Sequence, residues 1–196
     1  MSPQLFLASL SASRKALLTG AGVRFTAMSS HVDEAALKAG FSGPPEALAT
    51  NLAIAKATKI SQLHADALVI GGDQLLVCEG RIYDKPSDMD EAATQLRALA
   101  GRAHALISAV CLVQNGHCLW SHIQTAHLTM RHFSDEFLAA YLASEGDEIL
   151  SCVGAYRLEG LGAQLFERIE GDYFTVLGLP LLALLSALRA QGVLAF

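Results

Sequence analysis

Three clusters of polar residues in this chain have the types and spacing to handle phosphate. They are Ser9-Leu10-Ser11-Ala12-Ser13-Arg14-Lys15 near the start, Gly71-Gly72-Asp73-Gln74 in the middle, and Lys85-Pro86 shortly after. Each sits where an apolar run ends. A small-residue turn leading into a helix exposes backbone N–H groups at an end that favours anions. Arg14, Lys15 and Lys85 add charge suited to phosphate oxygens. Asp73 adds a carboxylate able to take a proton from water or to ligate a metal. Three such clusters in order point to an enzyme acting on a phosphorylated small molecule.

The elements that must position these groups can be read from the hydrophobic pattern. Residues 4–8 read as a short buried strand. Ser11 or Ser13 then caps a helix running to about Leu18. Residues 23–28 read as a second strand, and 29–43 as irregular chain around Asp33-Glu34. Pro44-Pro45 opens a long helix to about His64, with Leu48, Leu52, Ala55, Ile60 and Leu63 at helical spacing. Residues 67–71 form a buried strand ending at Asp73. The chain continues extended to Cys78 and turns back at Glu79-Gly80. Ser87-Asp88 caps a helix over 90–100, which Gly101 stops. Two long strands, 103–113 and 118–130, meet at Asn115-Gly116, a strong hairpin signal. A helix capped by Ser134 runs to Ala143. Residues 151–162 read as short strand and loop, 165–169 as extended, and 181–190 as the final helix. Strands mixed with helices, and one long hairpin, predict an α/β fold with a mixed sheet.

Composition narrows the function classes. The chain has 196 residues, enough for one domain or two small lobes. It is 52% hydrophobic and 17% charged, so it can bury a core and is not expected to be disordered. A net charge of −5 argues against a broad nucleic-acid surface but leaves room for a local basic pocket. Cys78, Cys111, Cys118 and Cys152 form no C-x-x-C pair and read as reduced, buried thiols. The seven histidines show no zinc spacing. Met1-Ser2-Pro3 and the residues after it carry no signal-peptide pattern. The most apolar stretch, 176–188, is broken by Gly178, Pro180 and Ser186 and is shorter than the ~20 residues of a membrane span. No membrane partner is expected.

Within these elements, Arg14 and Lys15 oppose the dipole of the helix they open, a conflict that a bound anion would relieve. Lys56 lies among Ile54, Ala55 and Ala57, and Lys85 is held extended by Pro86. His104, Cys152 and Trp120 read as structural.

Taken together, the motifs resemble the Maf family of nucleoside triphosphate pyrophosphatases. They are Leu7-Ala8-Ser9-x-Ser11-x-x-Arg14, Val32-Asp33-Glu34, Ala55-Lys56-Ala57, Ile70-Gly71-Gly72-Asp73-Gln74 and Asp84-Lys85-Pro86. Leu99-x-Gly101-Arg102-x-His104, Gly154-Ala155-Tyr156, Glu159-Gly160, Glu170-Gly171-Asp172 and Val176-x-Gly178-Leu179-Pro180-Leu181 follow in order. The resemblance implies a single domain over 1–196, related to inosine triphosphatase, with a mixed bent sheet and an active-site cleft between two lobes. It implies a cytoplasmic hydrolase of the α–β phosphoanhydride of a nucleoside triphosphate, dependent on Mg²⁺ or Mn²⁺, and allows for a homodimer. By the same resemblance Asp73 accepts the proton, and Glu34 and Asp73 serve metal or water. Arg14, Lys56 and Lys85 hold phosphates, with Ser9 beside them. Ser13, Gln74 and Glu159 occupy the positions that distinguish substrate branches. Gln74 and Glu159 match the branch acting on 7-methyl-GTP, whereas Ser13 replaces its tryptophan. The alternatives are a dTTP/UTP or other nucleotide pyrophosphatase, and a non-catalytic nucleotide-binding regulator of cell division.

Overall fold

The computed structural model describes residues 4–195; Met1-Ser2-Pro3, read above for a signal peptide, lies outside them. The fold is α/β, with one mixed sheet and flanking helices. In chain order the elements are β1 (Leu5–Leu7), α1 (Ala12–Gly20), β2 (Thr26–Ala27), α2 (Glu34–Ala39), α3 (Pro45–Ser61), β3 (Leu68–Cys78) and β4 (Arg81–Tyr83). They continue with α4 (Met89–Leu99), β5 (Ala103–Gln114), β6 (His117–Met130), α5 (Asp135–Glu145), β7 (Phe166–Glu170), α6 (Tyr173–Val176) and α7 (Leu181–Ala190). Hydrogen bonding orders the strands β2-β1-β3-β5-β6-β7, with β4 on β3.

The chain divides into two compact units. The first holds the chain up to Gln74, Ser108–Gln124 and the chain from Gly178 onward; the second holds Leu75–Ile107 and Thr125–Leu177.

In the first unit β1 pairs in parallel with both β2 and β3, Phe6 lying opposite Thr26 and Val69. Parallel strands have both faces covered, and β1 is accordingly apolar and buried throughout. The buried stripe of α3 runs through Leu48, Leu52, Lys56 and Ile60, each four residues from the next. That spacing keeps Lys56 on the core face of the helix. Leu63 departs from expectation: it follows the end of α3 and is exposed.

In the second unit β3 pairs antiparallel with β4 around Glu79-Gly80, and β6 with β7. The Asn115-Gly116 and Glu79-Gly80 turns both have positive φ at their two central residues, the conformation that suits the twist of flanking strands. The core of this unit includes Leu76, Leu96, Leu128, Leu138 and Tyr156. His104 is buried there, Nε2 lying 2.8 Å from the Tyr156 hydroxyl, and burial lowers its pKa to about 4. Its reading as structural agrees with this position.

Four sequence expectations need correction. Residues 29–43 are not irregular throughout, because Asp33 accepts from the Ala36 N–H at 3.0 Å and caps α2. Residues 151–162 contain no strand; 3₁₀ turns occupy Gly146–Ser151 and Leu161–Leu165. Residues 23–28 supply a strand of only two residues. Gly71-Gly72-Asp73-Gln74 is no turn at all but lies in the middle of β3. Its glycines mark close approach. A Cβ on Gly71 would meet the Ala53 carbonyl and stand 2.8 Å from Ala57 Cβ and from Cys111 Sγ. Gly71→Ala should therefore destabilise the protein by roughly 1–3 kcal/mol through overpacking. Urea unfolding checks this, and an unchanged midpoint would contradict the packing.

The cysteines also divide. Cys78 and Cys111 are buried, whereas Cys118 is exposed and Cys152 half-buried; all four are free thiols. Among the described residues no helix is long and apolar enough to cross a membrane.

Candidate functional site

In the first unit the middle of β3, three helices and the short loop after β1 bring most of the expected groups together. β3 is buried at every position from Leu68 to Asp73, and Asp73 itself is 5% exposed. On α3, Lys56 reaches it, donating from Nζ to Asp73 Oδ1 at 2.6 Å. The same ammonium stands 2.8 Å from Glu34 Oε1 at the start of α2, which packs beside α3. One lysine thus joins two carboxylates of different character, since the Glu34 side chain is 44% exposed and that of Asp73 only 7%.

Arg14 completes the charge pattern. Ser11 caps α1 by accepting the Arg14 N–H at 3.4 Å. The side chain turns inward and is buried. Its Nε donates to the Gly178 carbonyl at 2.8 Å and Nη1 to Ser9 Oγ at 3.3 Å. Burial works against the guanidinium charge, while Asp73 and Glu34 favour it. Burial likewise raises the pKa of Asp73, opposed by Lys56 and Arg14. A carboxylate in such surroundings has more basic character than one in water, as a proton acceptor requires.

Gln74, the next residue of β3, donates from Nε2 to Ser108 Oγ at 3.0 Å. Ser13 lies in the first turn of α1 with its hydroxyl 3.0 Å from Ser11 Oγ. The first unit therefore gathers Ser9, Ser13, Arg14, Glu34, Lys56, Asp73 and Gln74. Lys15, by contrast, is half-buried and joins none of these hydrogen bonds.

Lys85 and Glu159 belong to the second unit. Lys85 follows β4 on a segment held where Gln95 Nε2 donates to the Asp84 carbonyl at 3.0 Å. Both Lys85 and Glu159 act electrostatically on Cys152, whose thiol is pushed up mainly by burial. The second unit thus brings these two residues into one neighbourhood. Cys152 lies beside a strained turn, in which buried Ala155 takes a φ of +56° and its N–H bonds the Cys152 carbonyl at 3.2 Å.

Several partners of these groups were not singled out by sequence reasoning. Ser108 carries no local signal, since its importance lies in the Gln74 amide it accepts from. Gly178 stood within a recognised motif, but its role as the acceptor fixing Arg14 depends on a contact spanning 164 residues.

Two carboxylates are a set of hard oxygen donors that fits Mg²⁺ or Mn²⁺, which commonly take one or two carboxylates and fill their remaining positions with water and substrate phosphate. Among the described residues no group of three or more His, Cys, Asp or Glu side chains stands ready to cage a metal.

The fold is that of an α/β protein with a cluster of two cations and two carboxylates in its first unit. The chain belongs to the Maf-like protein family, whose profile matches residues 4–191. It is 50% identical to the 7-methyl-GTP pyrophosphatase of Rhizobium meliloti (strain 1021), over 99% of each chain. It is 49% identical to the nucleoside triphosphate pyrophosphatase of Rhodopseudomonas palustris (strain HaA2), over 98% of this chain and 96% of the relative. A 7-methyl-GTP pyrophosphatase of Brucella suis biovar 1 (strain 1330) is 47% identical over 97% of this chain and 98% of its own.

Proposed function

We propose that this protein is a hydrolase that cleaves the α–β phosphoanhydride of a nucleoside triphosphate, releasing a nucleoside monophosphate and diphosphate, with 7-methyl-GTP as its substrate. The observation that carries the reading is the Lys56 ammonium between Glu34 and buried Asp73, with Arg14 buried beside them. Near-full-length relatives named for this activity support it.

In this reading Arg14, fixed at Nε by Gly178, offers phosphate oxygens a guanidinium already in place. Lys85 is assigned to phosphate as a further cation, and Ser9 sets the Arg14 orientation. Lys56 holds the Asp73 carboxylate in one position. Asp73 takes a proton from the attacking water as its oxygen bonds to the α-phosphorus. The bond from that phosphorus to the bridging oxygen breaks, and diphosphate leaves with the electron pair. Positioning and charge stabilisation supply most of the catalysis in such reactions. Glu34 and Asp73 would hold a divalent ion, which when bound neutralises phosphate charge.

Gln74 and Glu159 are assigned to the base. A carboxylate accepts from guanine N1–H and N2–H₂ and favours a cationic methylated ring. A nucleotide substrate fits a protein working on the cytoplasmic nucleotide pool.

Ser13 favours a second reading, in which the base differs. Its hydroxyl is engaged with Ser11, and a serine offers no aromatic face for stacking, which is worth ~1–3 kcal/mol per base where it occurs.

Diphosphate release from 7-methyl-GTP, GTP, dTTP, UTP, CTP and ITP, with Mg²⁺ or Mn²⁺, tests both. The highest kcat/KM is expected for 7-methyl-GTP. A preference for dTTP or UTP would keep the reaction and overturn the base assignment. No release from any nucleotide would favour a non-catalytic binding protein.

A further inference from the structure

Glu159 does not stand alone in the second unit. Arg157 lies two residues before it, and the Arg157 Nε is 3.9 Å from Glu159 Oε1. The other end of the same guanidinium faces two more carboxylates. Arg157 Nη1 is 3.5 Å from Glu145 Oε2 and also pairs with Glu148. Glu145, the last residue of α5, is the buried member, with a side chain only 5% exposed. Its Oε1 accepts the Leu161 N–H at 2.7 Å. A Cβ on Gly160 would stand 2.7 Å from that oxygen, so glycine at 160 is what lets the carboxylate reach the turn.

This arrangement places one cation among three anions, with Glu159 the most weakly engaged of them. Glu145 anchors the backbone just after Glu159, and together with Glu148 it engages the far end of the Arg157 guanidinium. Whatever pairing Arg157 keeps with Glu159 reduces the negative potential that a base would meet there. Guanine is neutral, whereas the 7-methylated ring carries a positive charge. The potential at Glu159 therefore acts unequally on the two.

We propose that Arg157, held by Glu145 and Glu148, is a specificity-determining positioning residue that sets how strongly Glu159 prefers a cationic base over a neutral one. The inference rests on the assignment of Glu159 to the base.

The test measures kcat/KM for 7-methyl-GTP and for GTP, at a pH just below neutral, in four variants. Arg157→Gln should raise the ratio of the two by roughly two- to five-fold, the range for a partly exposed ion pair. Glu145→Gln keeps an acceptor for the Leu161 N–H but removes one of the two charges holding the far end of Arg157, and should lower the ratio, by a smaller factor because Glu148 still pairs with Arg157. Arg157→Lys should bring the ratio back toward that of the unaltered protein. A merely structural role would depress both substrates together and leave the ratio where it was, which would overturn the proposal. If Arg157→Gln fails to fold, the direction of the Glu145→Gln shift decides instead. Glu159→Gln separates the two levels of the argument. A ratio that is unmoved by Glu159→Gln removes the base assignment itself. A ratio that Glu159→Gln collapses, but neither Arg157→Gln nor Glu145→Gln moves, removes only the role of Arg157.

Discussion

Asp73→Asn is expected to lower kcat by about 10²–10⁴-fold, the usual contribution of a positioned general base. Asparagine is nearly isosteric and still accepts a hydrogen bond from Lys56, but it cannot take a proton from water. Arg14, fixed by Gly178 and Ser9 and not by Asp73, should keep its place, so nucleotide binding should largely survive. The pH profile adds a second check. Burial holds the Asp73 carboxyl above its ordinary range, with Lys56 and Arg14 pulling the other way. The rate of the unaltered enzyme should fall as pH drops through that raised value, because the base becomes protonated. Single-turnover rates across pH, with binding measured separately, would show both effects. A variant that hydrolyses at near the original rate would remove Asp73 from the chemistry.

Lys56→Met should have the largest effect on stability. The ammonium lies within 2.8 Å of Glu34 and 2.6 Å of a deeply buried Asp73. Removing one partner of a buried pair leaves the other uncompensated and commonly costs about 3–5 kcal/mol. The sign of the pH dependence follows from linkage. For a carboxyl whose native pKa exceeds its unfolded one, the native state binds more protons in the window between the two values. Stability therefore falls as pH rises through that window. Without Lys56 the native pKa of Asp73 rises further and the window widens. The loss should be large near pH 7.5 and smaller near pH 5, where Asp73 can fold protonated. Urea unfolding of both proteins at the two pH values would decide it. An equal loss at both would mean that only the packing of the lysine stem matters.

The legibility of this site in the sequence was uneven, for physical reasons. Asp73, Lys56 and Arg14 stood out because a charge next to an apolar run asks for a partner. Their partners lay elsewhere. Glu34 read as one of two adjacent loop acids, because a short helix capped by its neighbour Asp33 has too few residues to show a period. Gly71-Gly72 read as a turn because glycine usually marks one. Within β3 the first glycine instead makes room for the Ala53 carbonyl and the Ala57 side chain of α3. That mistake concerned the surroundings of Asp73 and left its chemistry intact.

By itself the sequence determined the local elements: the helix over 181–190, the two long strands meeting at Asn115-Gly116, and the cap at Ser134, with two further caps narrowed to Ser11 or Ser13 and to Ser87-Asp88. These follow from hydrogen bonds and periodicities that span only a few residues. It also determined which side chains carry reactive groups, and the order of motifs that places the chain in its family. Tertiary structure alone decided that one ammonium joins Glu34 to Asp73, that the Gly178 carbonyl fixes Arg14 and that Glu145 holds Arg157. Those contacts join residues far apart along the chain or on different elements. They exist because strand pairing and helix packing bring the elements side by side, and no local pattern encodes which distant atom will be there.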